Sequence, residues 1–546
     1  MAESSAARAP GFLDRERIIA GAGFNRWLVP PAALAIHLCI GMAYGFSVFW
    51  LPLSKAVGIS QSVACPKEMS WLDAFFATDC DWKISLLGWT YTLFFVFLGG
   101  SAALLGGWLE RVGPRKAGVV SAICWCGGLV IGALGVHLHQ VWLMWLGCGV
   151  IGGIGLGLGY ISPVSTLIKW FPDRRGMATG MAIMGFGGGA MIGAPLADRL
   201  MKLYATDQSV GVTATFLTLA GIYFVFMMSG ALGYRLPAQG WKPRGVSLPS
   251  TAATAAANRY VSLETAWRTR QFWLLWAVLC LNVTAGIGVI GMASPLLQEV
   301  FAGRLIGVPL AFTALDEAQL AQIATIAAGF TGLLSLFNIA GRFCWASLSD
   351  RIGRRMTYAI FFLLGFALYA SIPWTARLGN LALFVTFFGV ILSMYGGGFA
   401  TVPAYLADLF GTRMVGAIHG RLLTAWSTAG VLGPVLVNYI RDYQIDHGIA
   451  RADVYSITMY ILAGLLLIGF VCNSLIRPVD ERLFAAADSP ATSAREAAAA
   501  MPVGSAPGAA PATPSGWRLW GAWLAVGIPI AWGVKVTLEK AIVLFQ

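Results

Sequence analysis

Arg342 is the side chain in this sequence best suited to hold an anion. It stands in a long apolar stretch, eight residues before Asp350. On a helix, eight residues cover about 12 Å, most of the roughly 15 Å from a bilayer face to its middle. A guanidinium at that depth is costly unless it faces water or an anion, or snorkels back to the interface along its own stem. Asn338 lies one helical turn deeper on the same face. A guanidinium clamps a carboxylate through two parallel hydrogen bonds, so a small organic anion is the ligand that suits this position.

A second chemistry is electrostatic. The segments GGWLERVGPRKAG (106–118) and ASLSDRIGRRMTY (346–358) write one charged turn twice, 240 residues apart. Glu110 and Asp350 are the equivalent acids. Arg111 and Arg351 follow them, then Gly113 and Gly353, which allow a tight turn. Arg115 and Arg354 add further positive charge. Such a cluster can hold two helix ends together in one conformation and release them in another. Simple anchoring by positive loops explains one copy; two matched copies favour the conformational role.

The elements that must carry these residues are membrane helices. The chain has 546 residues, 58% hydrophobic and 11% charged, against about 25% charge in soluble domains. Apolar runs long enough to cross a bilayer fall at 28–53, 84–108, 117–138, 141–167, 177–200, 212–234, 271–297, 319–345, 357–373, 381–405, 422–441 and 454–476. The expected organisation is an all-α integral membrane protein: an N-terminal tail (1–25), a six-helix bundle (26–234), a polar linker (235–270), a second bundle (271–476), a flexible linker (477–516) and a last apolar segment (517–546). That last segment either adds a thirteenth span or lies along the interface. Arg111, Arg115, Lys116, Lys169, Arg174, Arg175, Arg351, Arg354, Arg355 and Arg413 fall in alternate loops. Those loops are expected inside, with the N-terminus cytoplasmic and the segment holding Cys65 and Cys80 outside. There a disulfide and two free thiols fit the sequence equally well.

Several classes are excluded. The net charge of +12 comes from short basic loops without interleaved aromatics, so nucleic acid is not an expected partner. GGIGLGLG (152–159) lacks the Gly-Lys-[Ser/Thr] ending of a phosphate loop, so ATP does not drive the protein directly. Cys124 and Cys126 have no His partners, and no metal or cofactor is expected. No nucleophile–base pair supports an enzyme.

The repeated turn resembles the G-x3-D-R-x-G-R-[RK] pattern of the major facilitator superfamily. The first copy carries Glu110 for the acid and inserts Pro114; the second has Ala346 where Gly is usual. YISPVSTLIKWFPDRRGMATGMAIMGFGGGA (160–190) and NIAGRFCWASLSDRIGRR (338–355) are similar to the oxalate/formate antiporter family, itself related to monocarboxylate carriers. The likeness covers about residues 25–480. It implies twelve helices in two bundles around a cavity, with Arg342 contacting the substrate carboxylate and Tyr44, Tyr160 and Tyr395 lining the cavity. The family's oxalate carriers have a Lys in span eleven, within Thr-Ala-Lys; here the string is Thr424-Ala425-Trp426. One fixed cation suits one carboxylate, because a second would stay unpaired in a low dielectric.

The expected function is therefore secondary transport of a small monocarboxylate such as formate, pyruvate or lactate across a bacterial-type inner membrane, coupled to a proton or a counter-anion. Oxalate/formate exchange is the alternative within the class. A carboxylate sensor that does not transport is the alternative outside it. His419 and Arg421 are expected at a gate or interface rather than on the ligand.

Overall fold

In lipid every backbone polar group must be satisfied inside the chain, which leaves the helix as the economical form for long apolar runs. A computed structural model describes residues 11–21, 23–58, 71–82, 84–238, 260–485 and 516–545, with Val63, Pro66, Met69, Trp241 and Pro243 besides. Among them are 13 helices long and apolar enough to cross a membrane. In chain order these are α1 (Arg26–Phe46), α2 (Leu86–Val112), α3 (Pro114–His137), α4 (Val141–Trp170), α5 (Arg175–Tyr204), α6 (Val212–Gly233), α7 (Arg270–Ile306), α8 (Ala318–Ile352), α9 (Arg354–Arg377), α10 (Leu381–Phe410), α11 (Val415–Ile445), α12 (Ser456–Ser474) and α13 (Gly516–Glu539).

Most helices overrun the apolar run that announces them. α11 begins several residues before 422, because Val415–Leu422 is packed between other helices rather than against lipid. There His419 costs the helix no exposure to hydrocarbon. The polar segment at 11–25 is likewise no free tail. Ile18 is fully buried, and Arg15 donates to the Glu110 carbonyl at 3.1 Å.

α1 packs on α5, α2 on α4 and α3 on α6; α7 packs on α11, α8 on α10 and α9 on α12. The two sets meet mainly through α5 with α8 and α2 with α11. The second meeting repeats the first after a shift of 240 residues. The Asp350 carboxylate accepts from the backbone N–H of Gly176 at 2.8 Å and of Met177 at 2.9 Å, at the start of α5. The Glu110 carboxylate accepts from the Gly416 N–H at 3.1 Å, at the start of α11. Each half thus places an acid on the positive end of a helix in the other half. A Cβ on Gly176 would lie 2.0 Å from the Ala346 carbonyl, and one on Gly416 2.5 Å from the Glu110 carboxylate.

Cations surround both acids. Lys169 donates to Glu110 at 2.6 Å and Arg354 to Asp350 at 2.6 Å. Asp408 bridges Arg354 and Arg175 across the halves. Gly113 and Gly353 have φ of 88° and 86°, so both turns use the left-handed backbone that only glycine enters freely. We call this the basic end.

At the opposite end, before α2, the Asp81 carboxylate accepts from the N–H groups of Val57 and Val63, each at 2.7 Å. Cys80 is disulfide-bonded; Cys65 lies outside the described residues. His139 stacks on Trp82 with centroids 4.1 Å apart, and its Nε2 is 2.8 Å from the Cys80 carbonyl.

Alanine at Gly176 or Gly416 should loosen the basic end by about 1–3 kcal/mol, the range for a charged hydrogen bond left unmade. A cysteine replacing Ala417 should then react faster with a thiol reagent; unchanged reactivity would mean the caps hold nothing. Burial lowers the His139 pKa, so the unfolded loop binds its proton more tightly than the folded one. Stability supplied by this contact is present at neutral pH and lost as the pH falls below about 6.5. A phosphine reductant should open the Cys80 disulfide faster in acid than at neutral pH, and His139→Phe should flatten that dependence.

Candidate anion-binding site

Arg342 lies in the middle of α8, wholly buried. Its Nε donates to the Asn338 side-chain oxygen at 2.9 Å, and its Nη1 to the Ile183 carbonyl of α5 at 3.1 Å. Nη2 has no hydrogen-bond partner. The rings of Phe186 and Phe399 stand 5.8 and 5.5 Å from the guanidinium carbon. Among the described residues no carboxylate pairs with it. Glu110 and Asp350 are spent on the helix caps, so one full charge is buried without an opposite one among the described residues, a condition costing several kcal/mol.

The neighbouring groups are also short of acceptors. Trp426 is fully buried and its Nε1–H is unpartnered; so is the Tyr160 hydroxyl. Tyr160 and Trp426 lie 5.2 Å apart, and both pack on Phe186, at 5.5 and 5.4 Å. Trp426 also meets Phe399 at 4.4 Å. A guanidinium N–H, an indole N–H and a phenol without acceptors of their own are thus gathered around one aromatic cluster centred on Phe186. Such a set can receive an anion.

Asn338 supports the guanidinium. Its oxygen accepts from Arg342 and its nitrogen donates to the Leu392 carbonyl at 3.4 Å, so it positions the guanidinium. The Tyr44 hydroxyl lies 3.2 Å from that of Tyr395, bridging the two halves. Tyr44 and Asn338 line a cavity of about 300 Å³ that draws on α1, α2, α5, α7, α8 and α11. Arg342 does not line it. It sits one turn nearer the basic end, and the Tyr44 ring stands 4.9 Å from Phe186, one of the two rings that flank the guanidinium.

The residues expected at the gate divide. Glu110, Asp350 and Arg354 join the halves. Arg111 and Arg351 are exposed at the helix ends. Arg115 is buried but serves its own half, donating to the carbonyls of Phe12 at 3.0 Å and Tyr234 at 3.3 Å. Sequence reasoning placed His419 at an interface and did not single out Phe186 or Phe399. His419 is fully buried with both ring nitrogens unpartnered, 5.9 Å from the Tyr160 ring. The repeat carried the signal: Phe186 and Trp426 are 240 residues apart, as are Thr179 and His419.

Comparison with known proteins agrees with this geometry. The family model described as Major Facilitator Superfamily matches residues 33–434 and again 305–538. The chain is 24% identical to the "Oxalate:formate antiporter" of Oxalobacter formigenes, over 75% of this chain and 83% of that one. It is 25% identical to "Apicoplast pyruvate carrier 1" of Toxoplasma gondii, over 70% and 78%. With rat "Monocarboxylate transporter 4" it shares 25%, over 74% and 80%. Among solved structures, the proton:xylose symporter XylE superposes with a TM-score of 0.57 at 16% identity, over 83% of this chain and 96% of that one, which speaks to the fold. Two bundles that cap each other's helices, helices long and apolar enough to cross a membrane and this match over most of the sequence make the chain a multi-pass membrane protein of the Major Facilitator Superfamily, a family of transporters rather than enzymes.

Proposed function

We propose that this transporter carries a small monocarboxylate, such as formate, pyruvate or lactate, by alternating exposure of Arg342. The observation that carries the proposal is the buried guanidinium with a free Nη2 beside two acceptorless donors, Trp426 Nε1 and Tyr160 Oη. A carboxylate oxygen on Nη2 turns an unpaired charge into a charge-assisted pair, and the indole and phenol satisfy its remaining lone pairs. The aromatic floor of Phe186, Phe399 and Trp426 suits a short apolar tail. Trp426 supplies no second cation, so the second carboxylate of oxalate would be left unpaired.

On this reading the basic end is cytoplasmic, by the positive-inside rule, in the plasma membrane of a bacterial-type cell. The acid–helix caps of Glu110 and Asp350 form the cytoplasmic latch, and the cavity beside Tyr44 faces outside. The empty site is a cation; the loaded site is neutral. Closing the outer end over an empty site confines an unpaired charge, so reorientation follows cargo. Exchange for another anion satisfies this requirement, as does entry of the acid together with its proton.

Purified protein in proteoliposomes should take up labelled formate, pyruvate or lactate faster than oxalate. Arg342→Gln should lower that uptake at least about 100-fold, since breaking a buried charge pair costs about 3–5 kcal/mol. It should also abolish the thermal stabilisation that the substrate gives the parent protein. Binding without flux would mark a sensor, and retained uptake in Arg342→Gln would remove the guanidinium from the mechanism. Trp426→Lys should raise oxalate transport relative to pyruvate; oxalate carried as well as pyruvate by the parent would defeat the single-cation argument.

A further inference from the structure

The thirteenth helix has no place in a two-bundle carrier, yet its contacts are ordered. Val526, Gly533 and Thr537 are its buried positions along one narrow face, while Trp517, Trp520, Leu524 and Ile528 are exposed. Val526 packs with Leu34 of α1, and Leu38 joins the same cluster. Arg199 of α5 stands over the Trp532 ring at 5.3 Å. A Cβ on Gly533 would lie 3.0 Å from Met191 of α5, and one on Gly332 of α8 would lie 3.2 Å from Thr537. Contacts therefore run from α1 near the basic end to α8 in its opposite half. α13 stands along the bundle and crosses the seam between the halves.

What lies behind it is the vestibule. A second cavity of about 300 Å³ shares Tyr44, Ala190, Thr331 and Ser335 with the central one. It runs between α5 (Met191, Ala194, Pro195) and α8 (Gly329, Gly332) and ends on Val536 and Thr537 of α13. The central cavity thus has a side passage, and α13 is its outer wall. Thr331 and Ser335 bond back to carbonyls of their own helix and Tyr44 to Tyr395, so what the wall closes is the open volume between α5 and α8. Without it an acyl chain could enter and reach Asn338.

We propose that α13 is a lateral seal, which excludes lipid from the passage between α5 and α8 while the opposite end is open. Because its 532–537 segment touches both helices there, it also keeps them at their present separation. The proposal rests on the passage and on α13 closing it, not on which anion is carried.

The test reads accessibility rather than flux. A nitroxide is placed on Thr331→Cys, in a chain whose other reactive cysteines are serine, reconstituted in phospholipid vesicles. With α13 seated, the label should collide more with a water-soluble nickel chelate than with oxygen dissolved in lipid. Gly533→Trp, which forces α13 from Met191, should raise the oxygen-to-nickel ratio several-fold. Gly332→Leu tests the same contact from α8, should Gly533→Trp fail to fold. Trp520→Ala, on the exposed face, should leave the ratio unchanged. A label already dominated by oxygen in the parent chain would mean that acyl chains fill the passage, and would overturn the proposal. So would an unchanged ratio in both displaced variants.

Discussion

A positive charge without an acid, held in the dry seam between two bundles, is the constraint on which the centre of this protein turns. Arg342 has every ordinary means of being quieted except a carboxylate. Its Nε is bound by its own half and its Nη1 by the other, and two rings flank it. Neutral acceptors and ring faces offset part of the burial cost, but a full charge in a water-poor site is balanced only by an opposite one. The acids described near the two helix ends are committed elsewhere: Glu110 and Asp350 to a helix terminus and a cation at the basic end, and Glu299 to Arg441 and Arg451 at the other. The free valence at the centre is thus a consequence of how the charges are partitioned.

The internal repeat makes that partition intelligible. Where the halves must move against one another, the repeat is kept. Glu110 matches Asp350, Gly416 matches Gly176, and the close approach of Gly180 to the Arg342 carbonyl has its twin in Gly420 and Ala102. Two equal contacts let a rigid half rock without favouring either side. Where the proposed ligand sits, the repeat departs: Arg342 corresponds to Ala102 and Tyr160 to Ala400, although Trp426 still answers to an aromatic residue, Phe186. Hinges repay symmetry, and a site for a ligand with one charged end does not.

Much of the fold was legible in the sequence because lipid enforces a simple rule. Length and hydropathy located twelve spans, and the doubled turn announced the relation between halves. Arg342 was legible for the same reason, since a charge in an apolar run has few permitted explanations. What could not be read was which neighbour each polar group would find. The spacing put Asn338 on the face of Arg342 but did not show the bond by which it braces the guanidinium. Arg115 looked like part of the latch and instead binds the N-terminal segment. His419 answers to Thr179 across the repeat, but only the three-dimensional meeting of α11 with α4 buries it beside Tyr160. The start of α11 was missed because hydropathy reports lipid exposure, and that turn is shielded by protein.

The backbone around Arg342 carries the last step. A Cβ on Gly396 of α10 would lie 2.2 Å from the Asn338 carbonyl, and one on Gly180 of α5 2.7 Å from the Arg342 carbonyl. Glycine thus lets α8 be approached closely on two sides, by a helix of its own half and by one of the other. On the proposed mechanism these two contacts differ in kind. α10 travels with α8, so the Arg342–Asn338 bond survives every rearrangement and the guanidinium stays aimed. α5 belongs to the other half, so parting the basic end withdraws the Ile183 carbonyl and frees Nη1 on the side that has just opened. A cation braced from its own half and capped from the other changes the face it presents when the halves rock, with no change in its own conformation. That is why the residue must lie on the seam, and why lining the cavity would have served less well.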